Sequence, residues 1–190
     1  MSNFYIADTH FGHANIIAFD GRPFESVAHM EEELVRRWNS VVKKQDTVYV
    51  LGDFCWSKEP EWLRILERLK GHIVLIRGNH DLKKMSAELK NMFADIKDYK
   101  EVHDNGRTVI LSHYPHLLYR AAYREDVYML CGHVHTTREN ELLEKWRTEM
   151  RTDYKDGLNR GQIINVGCMM PYMDYTPRTL DELVGVLDGR

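Results

Sequence analysis

The chain has 190 residues, of which 43% are hydrophobic and 29% charged, a composition typical of a globular protein with a substantial core. A formal net charge of −3 excludes a global basic field that would attract nucleic acid, and no segment approaches the roughly 20 apolar residues of a membrane span. We therefore expect one domain over residues 1–190. The absence of a signal-peptide pattern and the odd number of cysteines, three, predict a cytoplasmic, reducing location.

The first half of the chain alternates short hydrophobic runs with amphipathic stretches. The runs are rich in β-branched and aromatic residues and predict buried strands at residues 4–7, 47–51 and 73–76. Apolar residues between 27 and 42 share one helical face, and Pro60 is suited to the first turn of a helix whose apolar stripe ends at Gly71. This β-α-β-α-β order predicts a parallel sheet with right-handed crossovers.

The second half of the chain predicts mainly strands. Residues 95–103 are expected to be extended, and Asn105-Gly106 is a type I′ hairpin signal before a strand at 108–112. Further strands are predicted at 127–131 and 162–166. Short strands without helices between them predict a second sheet that is more antiparallel than the first. A capping box at Thr179-Leu180-Asp181-Glu182 predicts a short final helix.

The segment 138–161 combines six basic with six acidic residues and follows directly after a histidine motif. The favoured interpretation is a solvated helix along which opposite charges pair. The alternative is a lid or a partner surface beside the functional site.

Polar side chains follow five of the predicted strands, at the point where each strand ends. They lie in the segments Asp8-Thr9-His10, Gly52-Asp53, Gly78-Asn79-His80-Asp81, His113 and Gly132-His133-Val134-His135. Because sites in α/β sheets form where loops leave the carboxyl ends of strands, these side chains are expected to converge. Residues two apart on a strand share a face, so Asp8 and His10 are predicted to bind one cation together. Oxygen and nitrogen ligands without thiolate favour Mn, Fe, Zn, Co or Ni over Ca or Mg.

The ordered set of motifs resembles the calcineurin-like metallophosphoesterases, above all the small single-domain bacterial and phage-type members with a D-T-H-F-G-H-x-N-I opening. The resemblance extends from Asp8 to Gly167. It implies an α/β fold, a four-layer αββα sandwich of two mixed β-sheets flanked by helices. It also implies two divalent transition-metal ions, with manganese favoured. The first metal would take Asp8, His10, Asp53 and His135, and the second would take Asp53, Asn79, His113 and His133.

The function implied is that of a binuclear metal-dependent phosphoesterase. It would hydrolyse small or nucleotide-derived phosphodiesters through a metal-bridging hydroxide, so that no protein nucleophile is required. The alternatives are a phosphomonoesterase, including a protein phosphatase, and a non-catalytic scaffold on the same fold. The expected partner is a small phosphoester substrate, with no membrane and no strong nucleic-acid signal. The pattern carries no prediction of an oligomeric state.

Two residues of the third motif are predicted to be catalytic. His80 follows the ligand Asn79 in a sharp turn, where a protonated imidazole can stabilise or protonate the leaving oxygen. Asp81 is expected to hold the tautomer of His80 and to raise its pKa, as in the His-Asp couple of the family.

Four further residues are candidates for substrate binding. Arg77 and Arg22 each carry a guanidinium that can clamp a phosphate bidentately, the alternative being an ordinary structural or surface arginine. His13 and His116 each lie three residues from a predicted ligand and are candidates for contact with substrate or with a ligand.

Overall fold

A computed structural model describes residues 1–155, 157–187 and 189. Within these residues the chain forms eight strands and six helices, and the strands make two four-stranded sheets. None of the described helices combines the length and the apolar character that crossing a membrane would require.

The first sheet is parallel throughout, as the order of elements predicted. Its strands, in spatial and chain order, are β1 (Asn3–Ile6), β2 (Thr47–Leu51), β3 (His72–Ile76) and β4 (Asp95–Lys97). Its connections contain the helices α1 (Ala14–Phe19), α2 (Val27–Val41), α3 (Glu59–Leu66) and α4 (Ala87–Asn91). The Ser26 hydroxyl caps α2 by accepting from the His29 backbone N–H, and Pro60 lies in the first turn of α3.

The second sheet corrects two predictions. It contains β5 (Tyr99–Asp104), β6 (Arg107–Ser112), β7 (Val127–Cys131) and β8 (Ile163–Asn165). Only the β5–β6 pairing is antiparallel, because α5 (Arg138–Thr152) supplies the long crossover that lets β8 run parallel to β7. The second sheet is more antiparallel than the first, as predicted, but the expectation that no helix lies between its strands is wrong. The predicted extended segment 95–103 is two strands in different sheets, separated by Asp98.

Helix α5 is the solvated helix that the charge pattern favoured. Arg138 pairs with Glu141 at 2.6 Å and Lys145 with Glu149 at 3.9 Å, both along the exposed side. Leu143 is buried against the second sheet. The final helix, α6 (Leu180–Leu187), begins at the predicted capping box, where Glu182 accepts a hydrogen bond from the Thr179 backbone N–H at 2.8 Å.

The core lies between the two sheets and explains the layered architecture. Val48 and Val50 of β2 belong to the same buried cluster as Val109 and Leu111 of β6. Ile110, between the last two, faces the opposite side and packs with the cluster under α5. This alternation is the two-residue period of a strand buried on both faces. The predicted αββα sandwich, two sheets flanked by helices, is confirmed.

The carboxyl ends of the parallel strands from both sheets meet at one edge. Ala7, just after β1, forms a parallel bridge with Gly167, just after β8, and its N–H donates to the Val166 carbonyl at 2.8 Å. Loops that leave β1, β2, β3, β6 and β7 therefore emerge side by side. The fold places the five polar motifs at this seam between the sheets.

Candidate metal centre

Acidic and imidazole side chains form two overlapping groups at the seam. One contains Asp8, His10 and His135, and the other contains Asp8, Asp53 and His113. Within each group one donor atom per residue lies within 4.8 Å of the others. These five residues are at most 7% exposed. The structure thus brings five of the seven predicted ligands together, although they come from loops of both sheets.

The two groups share Asp8, and Asp53, a member of the second group, also faces His10 of the first. Asp53 Oδ2 is 3.6 Å from His10 Nε2, and its Oδ1 is 3.7 Å from His113 Nε2. The remaining two predicted ligands are adjacent. Asn79 Oδ1 lies 3.0 Å from His113 Nε2, and the His133 ring centroid is 5.0 Å from that of His113.

The cluster contains lone pairs that point at one another without a hydrogen between them. His113 Nδ1 is 2.8 Å from the Leu51 carbonyl, so the ring proton lies on Nδ1 and the lone pair on Nε2 faces the oxygens of Asn79 and Asp53. Both ring nitrogens of His10 are buried without a hydrogen-bond partner. Buried acceptors that face each other in this way need a cation, and these residues fit one.

The pKa values of His10, His113 and Asp8 agree with this fit. Burial lowers the pKa of His10 to about 2 and also lowers the pKa of His113, so both imidazoles are neutral and keep a lone pair available. Burial raises the pKa of Asp8 to about 7, because its charge is not balanced by the protein alone. A bound cation would reverse that effect and favour the carboxylate.

The backbone at the ligands departs from the strand geometry assumed for Asp8 and His10. Strand β1 ends at Ile6, so both residues lie beyond it. Asp8, His10, Asp53, His133 and His135 all have left-handed backbones, with φ between 45° and 72°. Asp8 and His10 therefore share a site because of a tight turn and not because of a pleat. Aspartate and histidine are among the residues that adopt this conformation most readily.

Asp20 is a functional residue that the sequence interpretation missed. Its carboxylate is buried and accepts a 2.7 Å hydrogen bond from His135 Nδ1 and a 2.9 Å hydrogen bond from Arg22 Nε. Burial opposes its ionisation, but these partners keep its pKa below the usual value. The bond to Nδ1 leaves Nε2 of His135 free to face Asp8, at 3.9 Å. Carboxylates commonly orient metal-binding histidines in this way.

The structure corrects the interpretation of Arg22. Its guanidinium is fully buried and donates to the carbonyls of Asp8 at 2.8 Å and Thr9 at 2.9 Å, as well as to Asp20. These bonds occupy the planar fork that a substrate phosphate would need. Arg22 therefore fixes the turn that carries Asp8 and His10, and it does not face the substrate.

Asp81 is also placed differently from the prediction. Its buried oxygens accept hydrogen bonds from the backbone N–H groups of Asp53, Phe54 and Gly78, at 3.1, 2.8 and 2.8 Å. The expected pairing with the His80 side chain is wrong, because the Asp81 carboxylate points back to the loops after β2 and β3. Its role in this structure is to join those two loops.

His80 stands at the mouth of the cluster. Its side chain is 41% exposed, and its Nε2 lies 4.0 Å from Asp53 Oδ2. The ring is 4.3 Å from that of Trp56, which in turn stacks on His13 at 4.2 Å with an interplanar angle of 9°. His13 thus supports the exposed ring of Trp56.

Two of the cavities beside the cluster share Asn79 as a wall, and a third, of about 430 Å³, is lined by Tyr114, His133 and Leu142. The first, of about 380 Å³, is lined by Trp56, Lys58 and His80 and is called the His80 cavity below. The second, of about 440 Å³, is called the Arg77 cavity and is lined by Arg77, Gly78, Asp81, Lys83, Asp98, Tyr99, Ser112, Tyr114 and His116. Two predicted substrate residues, Arg77 and His116, therefore line one cavity. Larger cavities of about 580 and 490 Å³ lie beside α6 and β5, away from the ligands.

The fold and the ligand cluster define a metal-binding phosphoesterase of the αββα type. Residues 1–181 match the calcineurin-like phosphoesterase superfamily domain. The chain belongs to the calcineurin-like phosphoesterase superfamily, and the resemblance seen in its motifs is confirmed.

Three relatives illustrate how far the similarity extends. The uncharacterized protein MJ1445 of Methanocaldococcus jannaschii is 37% identical over 140 residues, which is 73% of this chain and 72% of that protein. The Gene 66 protein of Mycobacterium phage D29 is 28% identical over 162 residues, 72% of this chain and 80% of the relative. The crystal structure of AQ665 from Aquifex aeolicus, a protein of unknown function, has a TM-score of 0.69 and 31% identity, covering 97% of this chain and 98% of that one.

Proposed function

We propose that this protein is a binuclear metal-dependent phosphodiesterase acting on small or nucleotide-derived diesters. The observation that carries the proposal is the buried cluster of two groups that share Asp8, in which Asp53 faces His10 with one carboxylate oxygen and His113 with the other. The donor set holds oxygens and imidazole nitrogens, which suits divalent transition metals, and manganese is the first to test.

The ligands would divide between two ions. One ion would be held by Asp8, His10, Asp53 and His135, and the other by Asp53, Asn79, His113 and His133. When bound, such a pair supplies an activated water near neutral pH and positive charge for the phosphate oxygens. The chain's own residues hold this arrangement: Asp20 orients His135, Arg22 fixes the turn of Asp8, and Asp81 joins the loops of Asp53 and Asn79.

His80 would act on the leaving group. Its half-exposed imidazole faces the His80 cavity beside Trp56, where the departing ester oxygen can reach it, and from there it can deliver a proton. The cysteines take no part as nucleophiles. Burial raises the pKa of Cys55 and Cys168 to about 12, whereas a nucleophilic cysteine requires the thiolate.

The two cavities favour a diester over a monoester. A diester has two organic branches, and the His80 and Arg77 cavities on either side of Asn79 provide one space for each. A monoester would leave one of them without an occupant and would call for added positive charge to balance its dianion. Arg77, which lines the Arg77 cavity, is the residue that could supply that charge.

The test compares matched esters on protein reconstituted with manganese. We expect kcat/KM for bis(p-nitrophenyl) phosphate to exceed that for p-nitrophenyl phosphate by about tenfold or more, because only the diester fills both cavities. The Asp53→Asn variant, purified in the same way, controls for contaminating phosphatases. The reverse ranking would establish the phosphomonoesterase. A protein that binds two metals and hydrolyses neither ester would be the scaffold.

A further inference from the structure

The Arg77 cavity has a chemical character that the hydrolysis of a simple diester does not require. Basic side chains, Arg77 and Lys83, line it together with the imidazole of His116. Two tyrosines on its wall, Tyr99 and Tyr114, are 42% and 46% exposed. We propose that this cavity binds the retained branch of the substrate through a second, non-reacting phosphate group. This inference rests on the proposed function and names the substrate class for the same site.

Position assigns the cavity to the retained branch. His80, the residue placed to protonate the leaving oxygen, lines the other cavity and not this one. Asn79 lies between them, so a phosphate held at the metals has its leaving branch on the His80 side and its retained branch on the Arg77 side. A group attached to the retained branch therefore meets Lys83 and His116 before it reaches solvent.

The accessible charge in the cavity favours an anion. Two carboxylates, Asp81 and Asp98, line it beside the two cations, but Asp81 is buried and its oxygens face three backbone N–H groups. Asp98 lies 3.7 Å from Arg77 and is 82% exposed, so it offsets one cation only weakly in water. Lys83 forms no ion pair with any carboxylate among the residues that the structure describes, and its ammonium is available. An ammonium and a guanidinium that line one cavity are the usual recognition elements for phosphate.

Size and aromatic surface indicate the remainder of the branch. A volume of about 440 Å³ falls within the roughly 300–1,000 Å³ of small-molecule sites. The exposed rings of Tyr99 and Tyr114 offer a face to a sugar or a base, and the Tyr114 ring is itself fixed 4.5 Å from that of His133. The occupant that matches these features is a nucleoside carrying a phosphate at the position that does not react.

The experiment uses two substrates that differ only in that phosphate. They are thymidine 5′-(p-nitrophenyl phosphate) and the same compound with an added 3′-phosphate, and both release nitrophenolate from the leaving side. With the manganese-loaded protein we expect the 3′-phosphate to raise kcat/KM about tenfold, mostly through KM. In Lys83→Gln the advantage should fall to about twofold, whereas Lys84→Gln, a neighbouring exposed lysine, should keep it.

The outcomes separate this inference from the proposed function. If neither nucleotide nor bis(p-nitrophenyl) phosphate is hydrolysed, the phosphodiesterase itself is refuted. If both nucleotides are hydrolysed at the same rate, the enzyme stands and the second phosphate site does not. The site is also refuted if Lys83→Gln retains the full advantage. Added NaCl should reduce the advantage in the parent protein, because contacts to an exposed anion are screened.

Discussion

The metal-ligand cluster and the rim of the two cavities differ in how firmly the fold holds them. The residues Asp8, His10, Asp53, His113 and His135 are buried, and the hydrogen bonds of Arg22, Asp20 and Asp81 fix the loops or rings of the cluster. At the rim, Trp56 is 44% exposed and Arg77 and Lys83 face solvent. The difference teaches that the residues of the cluster are held by the fold itself. The residues proposed to select the substrate lie at the rim, where they can be substituted without disturbing the fold. Variants should therefore fall into two classes.

Asp53→Asn should have the largest effect, because it changes the residue proposed to bridge the two metal ions. Loss of one carboxylate charge from a bridging position weakens both metal sites, and we expect kcat/KM to fall about 10⁴-fold on every ester. Metal analysis of manganese-loaded protein should show fewer than two ions per chain. A parent protein that saturates at one ion, with Asp53→Asn retaining full activity, would show that the site is not binuclear, and a variant that keeps two ions and full activity would show that Asp53 does not bridge them.

His80→Ala should reduce kcat/KM by an amount that depends on the leaving group of the substrate. A substitution within the metal-ligand cluster should reduce it equally for all leaving groups. Both metals should remain, the loss on nitrophenyl esters should be modest, and the loss on alkyl or nucleoside leaving groups should be about 10²-fold, because alkoxides need a proton to depart. The measurement is the ratio of kcat/KM losses, with metal content determined on the same sample. Equal losses on both classes would assign His80 to phosphate positioning, and loss of a metal would make it a ligand.

Asp20→Ala should affect metal affinity more than folding. Without the carboxylate, His135 loses its orienting partner, and removal of such a partner typically weakens metal binding about 10–100-fold. Asp20→Asn retains an acceptor for His135 Nδ1 and should recover much of the affinity. Titration of manganese by calorimetry tests both variants, with Asp174→Ala as a control because Asp174 forms a surface pair with Arg37. If Asp20→Ala binds manganese with unchanged affinity, the hydrogen bond between Asp20 and His135 has only a structural role.

The smallest expected effect is that the stability which the protein gains on binding manganese depends on pH. Asp8 has a pKa of about 7 in the metal-free fold, above its ordinary value near 4, so the folded state holds more protons between about pH 4 and pH 7. Its contribution to stability is therefore present below about pH 4 and is lost as the pH rises through 7. Manganese competes with that proton, so the rise in Tm on adding manganese should be larger at pH 7.5 than at pH 5.5, by a few degrees. Asp8→Asn should remove the difference, and an increment independent of pH in the parent protein would contradict the role of Asp8.

The predictions made from sequence succeeded where the signal was local. Each ligand motif directly follows a strand, and parallel strands deliver their carboxyl ends to one edge, so convergence of Asp8, Asp53 and His113 followed from strand order. The link between Asp20 and His135 spans 115 positions and has no local pattern to mark it. This contact follows only from the fold, which places the end of α1 beside the loop after β7.

Other predictions were wrong for a different physical reason. The sequence did not show the direction of a side chain or the point at which the chain passes from one sheet to the other. Adjacency of His80 and Asp81 says nothing about where each points, and the tight loop sends Asp81 toward the backbone of Asp53. The chain passes from the first sheet to the second at Asp98, the single residue between β4 and β5. Hydrophobic periodicity cannot detect a break of one residue between two strands. The parallel pairing of β7 with β8 was missed because α5 was considered only for its charges and not as a crossover.

The left-handed backbones of five ligand residues have a consequence for how such a protein can change over generations. Each of these conformations costs a non-glycine residue roughly 1 kcal/mol, which the hydrogen bonds around the seam offset. Glycine at Asp8 or His133 would remove that strain together with the ligand. A lineage released from catalysis would therefore gain stability by losing these side chains. Their presence together in one chain is the mark of a stability cost that only a working site would maintain.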